Sequence, residues 1–336
     1  MSEYTAQDYK FGQPRWCPGC GDHSFLGALH KAMGELGVAP HDIAVISGIG
    51  CSSRLPYYMN TYGFHTIHGR SAAIATGAKV ANPGLTVWQI SGDGDGLAIG
   101  GNHFIHAVRR NIDLNMILLN NRIYGLTKGQ YSPTSARGFV SKSSPYGTVE
   151  DPFRPAELCF GARGNFFARC VATDMAAAVG CLKAAAQHKG ASVVEVLQNC
   201  VIFNDKTHAL FAGDKATRQE HTINLQHGKK MIFGAKGDKG LVFENMKLKV
   251  VTIGEDGYTE EHLLTHDAHE KDTTLHSMLA AMKYPEYPVA VGVIRDVDDP
   301  VVYDQGVLQQ VEEVKAKSKI RCMDDLLHSG ETWEVE

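Results

Sequence analysis

Nothing in the 336 residues approaches the ~18 consecutive apolar residues of a membrane-spanning helix, so no membrane is expected. The opening stretch, MSEYTAQDYKFGQPRW, lacks the apolar centre of a signal peptide, which predicts a cytoplasmic chain. Basic clusters are missing too. Lys and Arg number 33 against 37 Asp and Glu, and a net charge of −4 removes the electrostatic ground for nucleic-acid binding. The charged run near the end, EEVKAKSKIR (312–321), mixes both signs and reads as a solvated helix face. No tandem repeat or low-complexity tract is present. Eight cysteines in a reducing compartment do not make a disulfide framework, so any working subset is expected to bind metal or to act in redox chemistry.

What is present is a rhythm of short apolar, β-branched runs and helical stretches. Strands are expected over 42–50 (DIAVISGIG), 85–91 (LTVWQIS), 114–121 (LNMILLNN), 167–174 (FARCVATD) and 191–199 (ASVVEVLQN). Helices are expected over 71–82, 98–111 and 175–189. Such alternation predicts an α/β fold with a doubly wound, mainly parallel sheet. Residues 128–157 are rich in Ser, Gly and Pro, and a loop this long in a compact domain is usually functional. Beyond about residue 205 the chain becomes more charged and less periodic, apart from a β-like run at 287–297. The expected division is therefore a domain over 1–210 and, over 211–336, a C-terminal extension that packs on the core or on a partner.

The stretch ISGDGDGLAIGGNH (90–103) ends a strand in a Gly92-Asp93-Gly94 turn before a helix. Glycines let backbone N–H groups approach an anion closely. The Asp93 carboxylate would repel a diphosphate unless a divalent cation lay between them. Neighbouring parallel strands would bring Asp93 and Asn121 together at their carboxyl ends, where open α/β sheets bind ligands. Such oxygen donors, completed by diphosphate, suit Mg²⁺. GDG followed at this spacing by NN is the thiamin diphosphate signature, and a dinucleotide motif G-x-G-x-x-G is absent from the register. Upstream, HTIHGRS (65–71) puts His68 and Arg70 at a strand-to-helix turn, as cofactor contacts or as an ordinary polar turn.

The stretch WCPGCGDH (16–23) offers half of a zinc knuckle, but a second C-x-x-C does not exist. Cys51 and Cys200 end predicted parallel strands at the edge that carries the GDG turn. Four thiolates, Cys17, Cys20, Cys51 and Cys200, suit a [4Fe–4S] cluster; a zinc site and inert thiols are the alternatives. Cys159, Cys170, Cys181 and Cys322 are expected to be buried structural thiols. Thiamin-dependent decarboxylation leaves an electron-rich carbon, and a low-potential cluster beside it gives those electrons an exit.

Taken together, CPGCG, GIGCSS, HGRS, GDGDGLAIGGNHFIHAVRRN, LLNNRIYGLTKGQYSPTS and NCVIFND closely resemble the β subunit of 2-oxoacid:ferredoxin oxidoreductases, and most of all its 2-oxoglutarate branch. The match covers roughly residues 10–210. The resemblance implies the thiamin diphosphate-binding type of α/β domain and CoA-dependent oxidative decarboxylation of a 2-oxoacid, with electrons leaving to ferredoxin. It implies that Cys17, Cys20, Cys51 and Cys200 ligate one [4Fe–4S] cluster, and that Asp93, Asn121 and the carbonyl of Ile123 bind Mg²⁺. Thiamin diphosphate would be lined by Ile49, Gly50, Cys51, Ser52, His68, Gly69, Arg70, Ser71, Gly92, Asp93, Gly94, Asp95, Gly125 and Leu126.

Two cations complete the expectation. Arg54, three residues after Cys51, is placed to pair with the distal carboxylate of 2-oxoglutarate, which would favour it over pyruvate. Lys128 opens the long loop and is placed to meet a CoA phosphate. The glutamate that activates thiamin comes from a pyrimidine-binding domain, and no such domain is legible here. An α subunit is therefore expected to complete the site, giving (αβ)2. The rivals are the same chemistry on pyruvate or many 2-oxoacids, a non-oxidative thiamin lyase with a zinc knuckle, and an electron-transfer subunit with no chemistry of its own.

Overall fold

A computed structural model describes residues 3–299 and 301–335. One eight-stranded sheet organises the chain, in the order β2-β1-β3-β4-β6-β5-β11-β7. The strands are β1 Ile43–Ser47, β2 Tyr62–His65, β3 Thr86–Gly92, β4 Asn115–Asn120, β5 Phe166–Val171, β6 Ser192–Leu197, β7 Thr222–Leu225 and β11 Val289–Asp296. From β2 to β5 every neighbouring pair is parallel. The five predicted strands match β1, β3, β4, β5 and β6; β3 keeps its length and is shifted by one residue, and the other four are shorter by two to four residues. Strands β1, β4, β5 and β6 are buried at every position, the mark of a parallel sheet covered on both faces.

Helices α1 Gly21–Leu36 and α6 Met175–Gln187 pack on one face with a core that includes Phe25, Leu29, Trp88 and Val194. Helices α2 Ser71–Ala81, α4 Gly101–Arg109 and α5 Pro155–Gly161 cover the other, over Ala75, Phe104, Met116 and Phe167. A short helix α3, Asp93–Leu97, follows β3 directly. The predicted helix over 98–111 is α4 alone, shortened by the turn at Gly100.

The extension read from residue 211 onward continues the sheet. Strand β11 lies antiparallel to β5 and parallel to β7, and a separate three-stranded sheet joins β8 Ile232–Phe233, β9 Lys239–Glu244 and β10 Lys247–Thr252. Short helices α7 Ala209–Ala212, α8 Lys215–His221 and α9 Thr274–Ala281 connect these strands. Helix α10, Tyr303–Lys317, buries Asp304 alone, as a solvated helix face would, and α11 Met323–Leu327 is exposed. Cys159, Cys170 and Cys181 are buried as expected; Cys322 is not. It is exposed at the start of α11, a helix with no buried residue. Among the described residues no helix is long and apolar enough to cross a membrane.

Candidate active site

Parallel register does the first work of assembly. Gly92 pairs with Leu119 across β3 and β4, so the turn after β3 and the asparagines after β4 leave the sheet side by side. Asp93 is 1% exposed, and its Oδ2 accepts hydrogen bonds from Ser132 Oγ at 2.5 Å and Thr134 Oγ1 at 2.6 Å. Burial pushes its carboxyl up, against the opposing pull of those two hydroxyls. Thr134 Oγ1 also lies 2.9 Å from Asn120 Oδ1, while Asn120 Nδ2 donates to Glu195 Oε1 at 2.8 Å. Glu195 is held in turn by Arg169 Nε, 2.7 Å from Oε2, in a buried ion pair between facing residues of β5 and β6. Burial alone would raise the Glu195 carboxyl; the Arg169 charge and hydrogen bond and the Asn120 amide outweigh it and hold it low. Asn121 Oδ1 accepts from the backbone N–H of Ile123 at 3.2 Å, curling the chain so that amide and peptide carbonyl share one turn. Carboxylate, amide and carbonyl oxygens are the donors a hard divalent cation takes. Ser132 and Thr134 were not singled out from sequence; the signals were their place in the long polar loop and in the motif LLNNRIYGLTKGQYSPTS.

Around this turn lies a cavity of about 1170 Å³, counting the solvent at its mouth. Its wall includes Ile49, Gly50, Cys51, Ser52, His68, Gly92, Asp93, Gly94, Asp95, Gly125 and Leu126, most of the residues predicted for the thiamin site. Gly69, Arg70 and Ser71 are not in that wall. Ser71 Oγ accepts from Gln89 Nε2 at 2.7 Å under the sheet, Arg70 is exposed, and the Gly69 amide donates to Asp95 Oδ1 at 2.7 Å. Asp95 therefore ties the loop after β2 to the loop after β3, and burial pushes its carboxyl up. Glycine is required at 94, where a Cβ would stand 2.4 Å from the Tyr124 ring, whose hydroxyl donates to the Gly94 carbonyl at 2.8 Å.

Cys17, Cys20, Cys51 and Cys200 line a second cavity of about 560 Å³. Cys20 caps α1, Cys51 opens the 3₁₀ turn Ser52–Tyr58, and Cys200 follows β6. Trp16 Nε1 donates to the Cys51 carbonyl at 2.7 Å, pinning the CPGC turn to the end of β1. Burial and the neighbouring Asp22 push the Cys51 thiol up to about 12 and Cys20 higher still. Asp22 is wholly buried, accepts from Gln198 Nε2 at 2.7 Å and has its Oδ2 unpartnered; burial raises its carboxyl to about 6. Thiols in such a place become thiolates only with a metal to neutralise them.

The two cavities touch. Cys51, Arg54, Asn121, Gly125 and Leu126 belong to both walls. A Cβ on Gly125 would lie 3.3 Å from Cys200 Sγ and 3.8 Å from Cys51 Sγ, so this backbone is the partition. Leu126, 54% exposed, stands at the shared rim. Lys128 is exposed and lines neither cavity; its N–H donates to the Gly125 carbonyl at 3.0 Å.

Residues 48–196 match the family described as thiamine pyrophosphate enzyme, C-terminal TPP binding domain. The chain is 44% identical over 325 residues to the 2-oxoglutarate oxidoreductase subunit KorB of Mycobacterium tuberculosis, covering 96% of this chain and 86% of that protein. It is 41% identical over 218 residues to the 2-oxoglutarate synthase subunit KorB of Methanothermobacter marburgensis, covering 64% and 76%. A solved structure of the 2-oxoglutarate:ferredoxin oxidoreductase from Magnetococcus marinus, with 2-oxoglutarate, coenzyme A and succinyl-CoA bound, superposes with a TM-score of 0.77 at 30% identity. That alignment covers 99% of this chain and 98% of the other.

Proposed function

The chain belongs to the β-subunit family of the 2-oxoacid:ferredoxin oxidoreductases, and on that premise we propose that it converts 2-oxoglutarate and CoA to succinyl-CoA and CO₂, passing electrons to ferredoxin. The observation that carries this reading is the common wall: the cavity around the Asp93 turn and the four-thiol cavity share Cys51, Arg54, Asn121, Gly125 and Leu126. When bound, thiamin diphosphate supplies the electron sink for loss of CO₂ and the cluster a one-electron acceptor.

The chain's own residues have separable roles. Asp93, Asn121 and the Ile123 carbonyl are assigned to Mg²⁺, with Ser132 and Thr134 orienting the carboxylate. Gly92, Gly94 and Gly125 line the cofactor's cavity with backbone, and Ile49 to Ser52 with His68 form its wall. Gly69, Arg70, Ser71 and Asp95 shape the adjoining turn. The four cysteines are assigned to one [4Fe–4S] cluster. Residues 1–210 carry this chemistry, and 211–336 pack on that core or on a partner. An α subunit with the pyrimidine-binding domain completes the active site, in an (αβ)2 assembly.

Arg54 lies on the common wall and forms no ion pair among the described residues. We assign it to the distal carboxylate of 2-oxoglutarate. A charge-assisted contact of roughly 1.5–3 kcal/mol corresponds to a KM change of about 10- to 100-fold. Arg54→Ala is expected to raise KM by that factor for 2-oxoglutarate and to leave 2-oxobutyrate unchanged; equal losses on both would refute the assignment. Lys128 is assigned to a CoA phosphate from its exposed place beside Gly125. Lys128→Ala is expected to raise KM for CoA alone, by about tenfold, and an unaltered CoA KM would remove it from the site.

The proposal as a whole is tested by CoA-dependent methyl viologen reduction with the anaerobically co-purified complex. Strong preference for 2-oxoglutarate supports it. Preference for pyruvate keeps the chemistry and changes the substrate, while a zinc-containing, redox-silent protein points to the non-oxidative lyase.

A further inference from the structure

The motif NCVIFND, residues 199–205, supplies Cys200 and leaves the rest of its residues without a role. They form a closed turn. Asn199 clasps its base: its Nδ2 donates to Asp205 Oδ1 at 2.8 Å, and its Oδ1 accepts from the Lys206 N–H at 2.8 Å. Inside the turn the Asn204 N–H donates to the Cys200 carbonyl at 3.1 Å, which ties Asn204 to the residue that carries the thiol. On one side the turn is joined to the start of α1, where the Gly21 N–H donates to the Asn199 carbonyl at 3.3 Å. Gly21 follows Cys20, so this bond connects the neighbourhoods of two assigned cluster ligands.

On the other side the turn reaches the thiamin diphosphate site. Asn204 Nδ2 donates to the Asn121 carbonyl at 3.0 Å and to the Arg122 carbonyl at 3.2 Å. A primary amide has two hydrogens, one for each acceptor. Those carbonyls belong to the backbone that leads from the Asn121 amide to the Ile123 carbonyl, the two ends of the assigned Mg²⁺ turn. That backbone needs holding. Arg122 lies at φ +57°, a left-handed conformation that a bulky residue keeps only where its surroundings over-determine it. Two close approaches bring the same two loops together: a Cβ on Gly125 would stand 3.3 Å from Cys200 Sγ, and one on Gly129 would stand 3.0 Å from the Phe203 ring.

From these contacts we propose that Asn204 is a positioning residue that couples the two cofactor sites: its amide, carried on the turn of a cluster ligand, fixes the turn of the Mg²⁺ ligands. The inference rests on the roles proposed for Asn121, Ile123 and Cys200. With Cys200 bound to iron the 199–206 turn is anchored, and Asn204 offers its two donors to a backbone already shaped for Mg²⁺. Without that anchor the turn is held by its hydrogen bonds alone, and part of the thiamin diphosphate binding free energy goes into ordering it. Linkage makes the effect mutual, so thiamin diphosphate with Mg²⁺ favours cluster retention by the same factor. Couplings of this kind are about 5- to 150-fold. At about tenfold, thiamin diphosphate is held more loosely in a complex that has no exit for electrons, yet still binds.

The test is calorimetry of thiamin diphosphate binding at fixed Mg²⁺ on the complete complex, iron-loaded and after anaerobic removal of the cluster, for the wild type and Asn204→Leu. The loaded wild type should bind about tenfold tighter than its cluster-free form. Asn204→Leu keeps the side-chain volume and removes both donors. It should retain iron, bind about tenfold more weakly than the loaded wild type, and show a ratio between its two forms close to one. A merely structural role would weaken both forms alike and leave that ratio at its wild-type value, and this result overturns the proposal. So does a wild-type ratio close to one. Asn204→Ala takes the place of Asn204→Leu if the latter does not assemble, and failure of both to assemble would make Asn204 a folding residue and overturn the assignment. Failure of the underlying reading looks different: a wild-type complex that carries no iron, or binds thiamin diphosphate without regard to Mg²⁺, removes the premise and the inference with it.

Discussion

Asp93→Ala is expected to abolish turnover and to leave the complex unable to retain thiamin diphosphate in the presence of Mg²⁺. The carboxylate is buried, so on the proposed assignment its removal takes away the one charged donor of the Asp93, Asn121 and Ile123 set and leaves Ser132 and Thr134 without that acceptor. The loss should exceed the roughly 10- to 100-fold typical of an outer-shell partner. Thr134→Val provides that smaller step: it keeps the ligand, frees one oxygen and should weaken Mg²⁺ within the 10- to 100-fold range. Calorimetry of thiamin diphosphate binding at varied Mg²⁺ measures both. If Asp93→Ala binds the cofactor with unaltered Mg²⁺ dependence, the metal assignment is wrong.

The second large effect is expected at Cys17. It lines only the thiol cavity, whereas Cys51 lines both. Cys17→Ala should therefore lose the cluster, its visible absorption and viologen reduction, while thiamin diphosphate binding persists. Iron analysis and calorimetry on one sample separate the two. Iron retained at the wild-type level would exclude Cys17 as a ligand, and joint loss of iron and thiamin would show that the two cavities cannot be uncoupled. Zinc in place of iron would return the CPGC turn to the knuckle reading.

The parallel strands were legible because runs such as AVISG and MILLN are apolar on both faces, a pattern only a covered parallel sheet explains. The carboxyl-end rule is enough to place Asp93 beside Asn121, and Cys51 near Cys200. Helix α1 was not among the expected helices, although it buries Phe25 and Leu29. Strand β2 was legible only as the strand that ends before the HTIHGRS turn: all four of its residues are exposed at the sheet edge, so no burial pattern marks its extent. Long-range hydrogen bonds were out of reach as well. Nothing in the spacing of Ser132 and Thr134 reveals that their hydroxyls meet a carboxylate about forty residues earlier. The tail misled in one respect, since an apolar neighbourhood in sequence, Cys322 beside Met323, did not become a buried one. In the C-terminal part, β11 was visible as an apolar run, but not its insertion beside β5, which requires an antiparallel partner more than a hundred residues away.

The central claim is that substrate chemistry in the larger cavity reduces a cluster in the smaller one across the Gly125 partition. Its most direct test is anaerobic mixing of the complete complex with 2-oxoglutarate and CoA, with no external acceptor, followed by electron paramagnetic resonance. The account predicts a reduced [4Fe–4S] signal that grows with turnover and is absent from Asp93→Ala. An iron-loaded complex that stays oxidised with substrate, yet is reduced by dithionite, would contradict it.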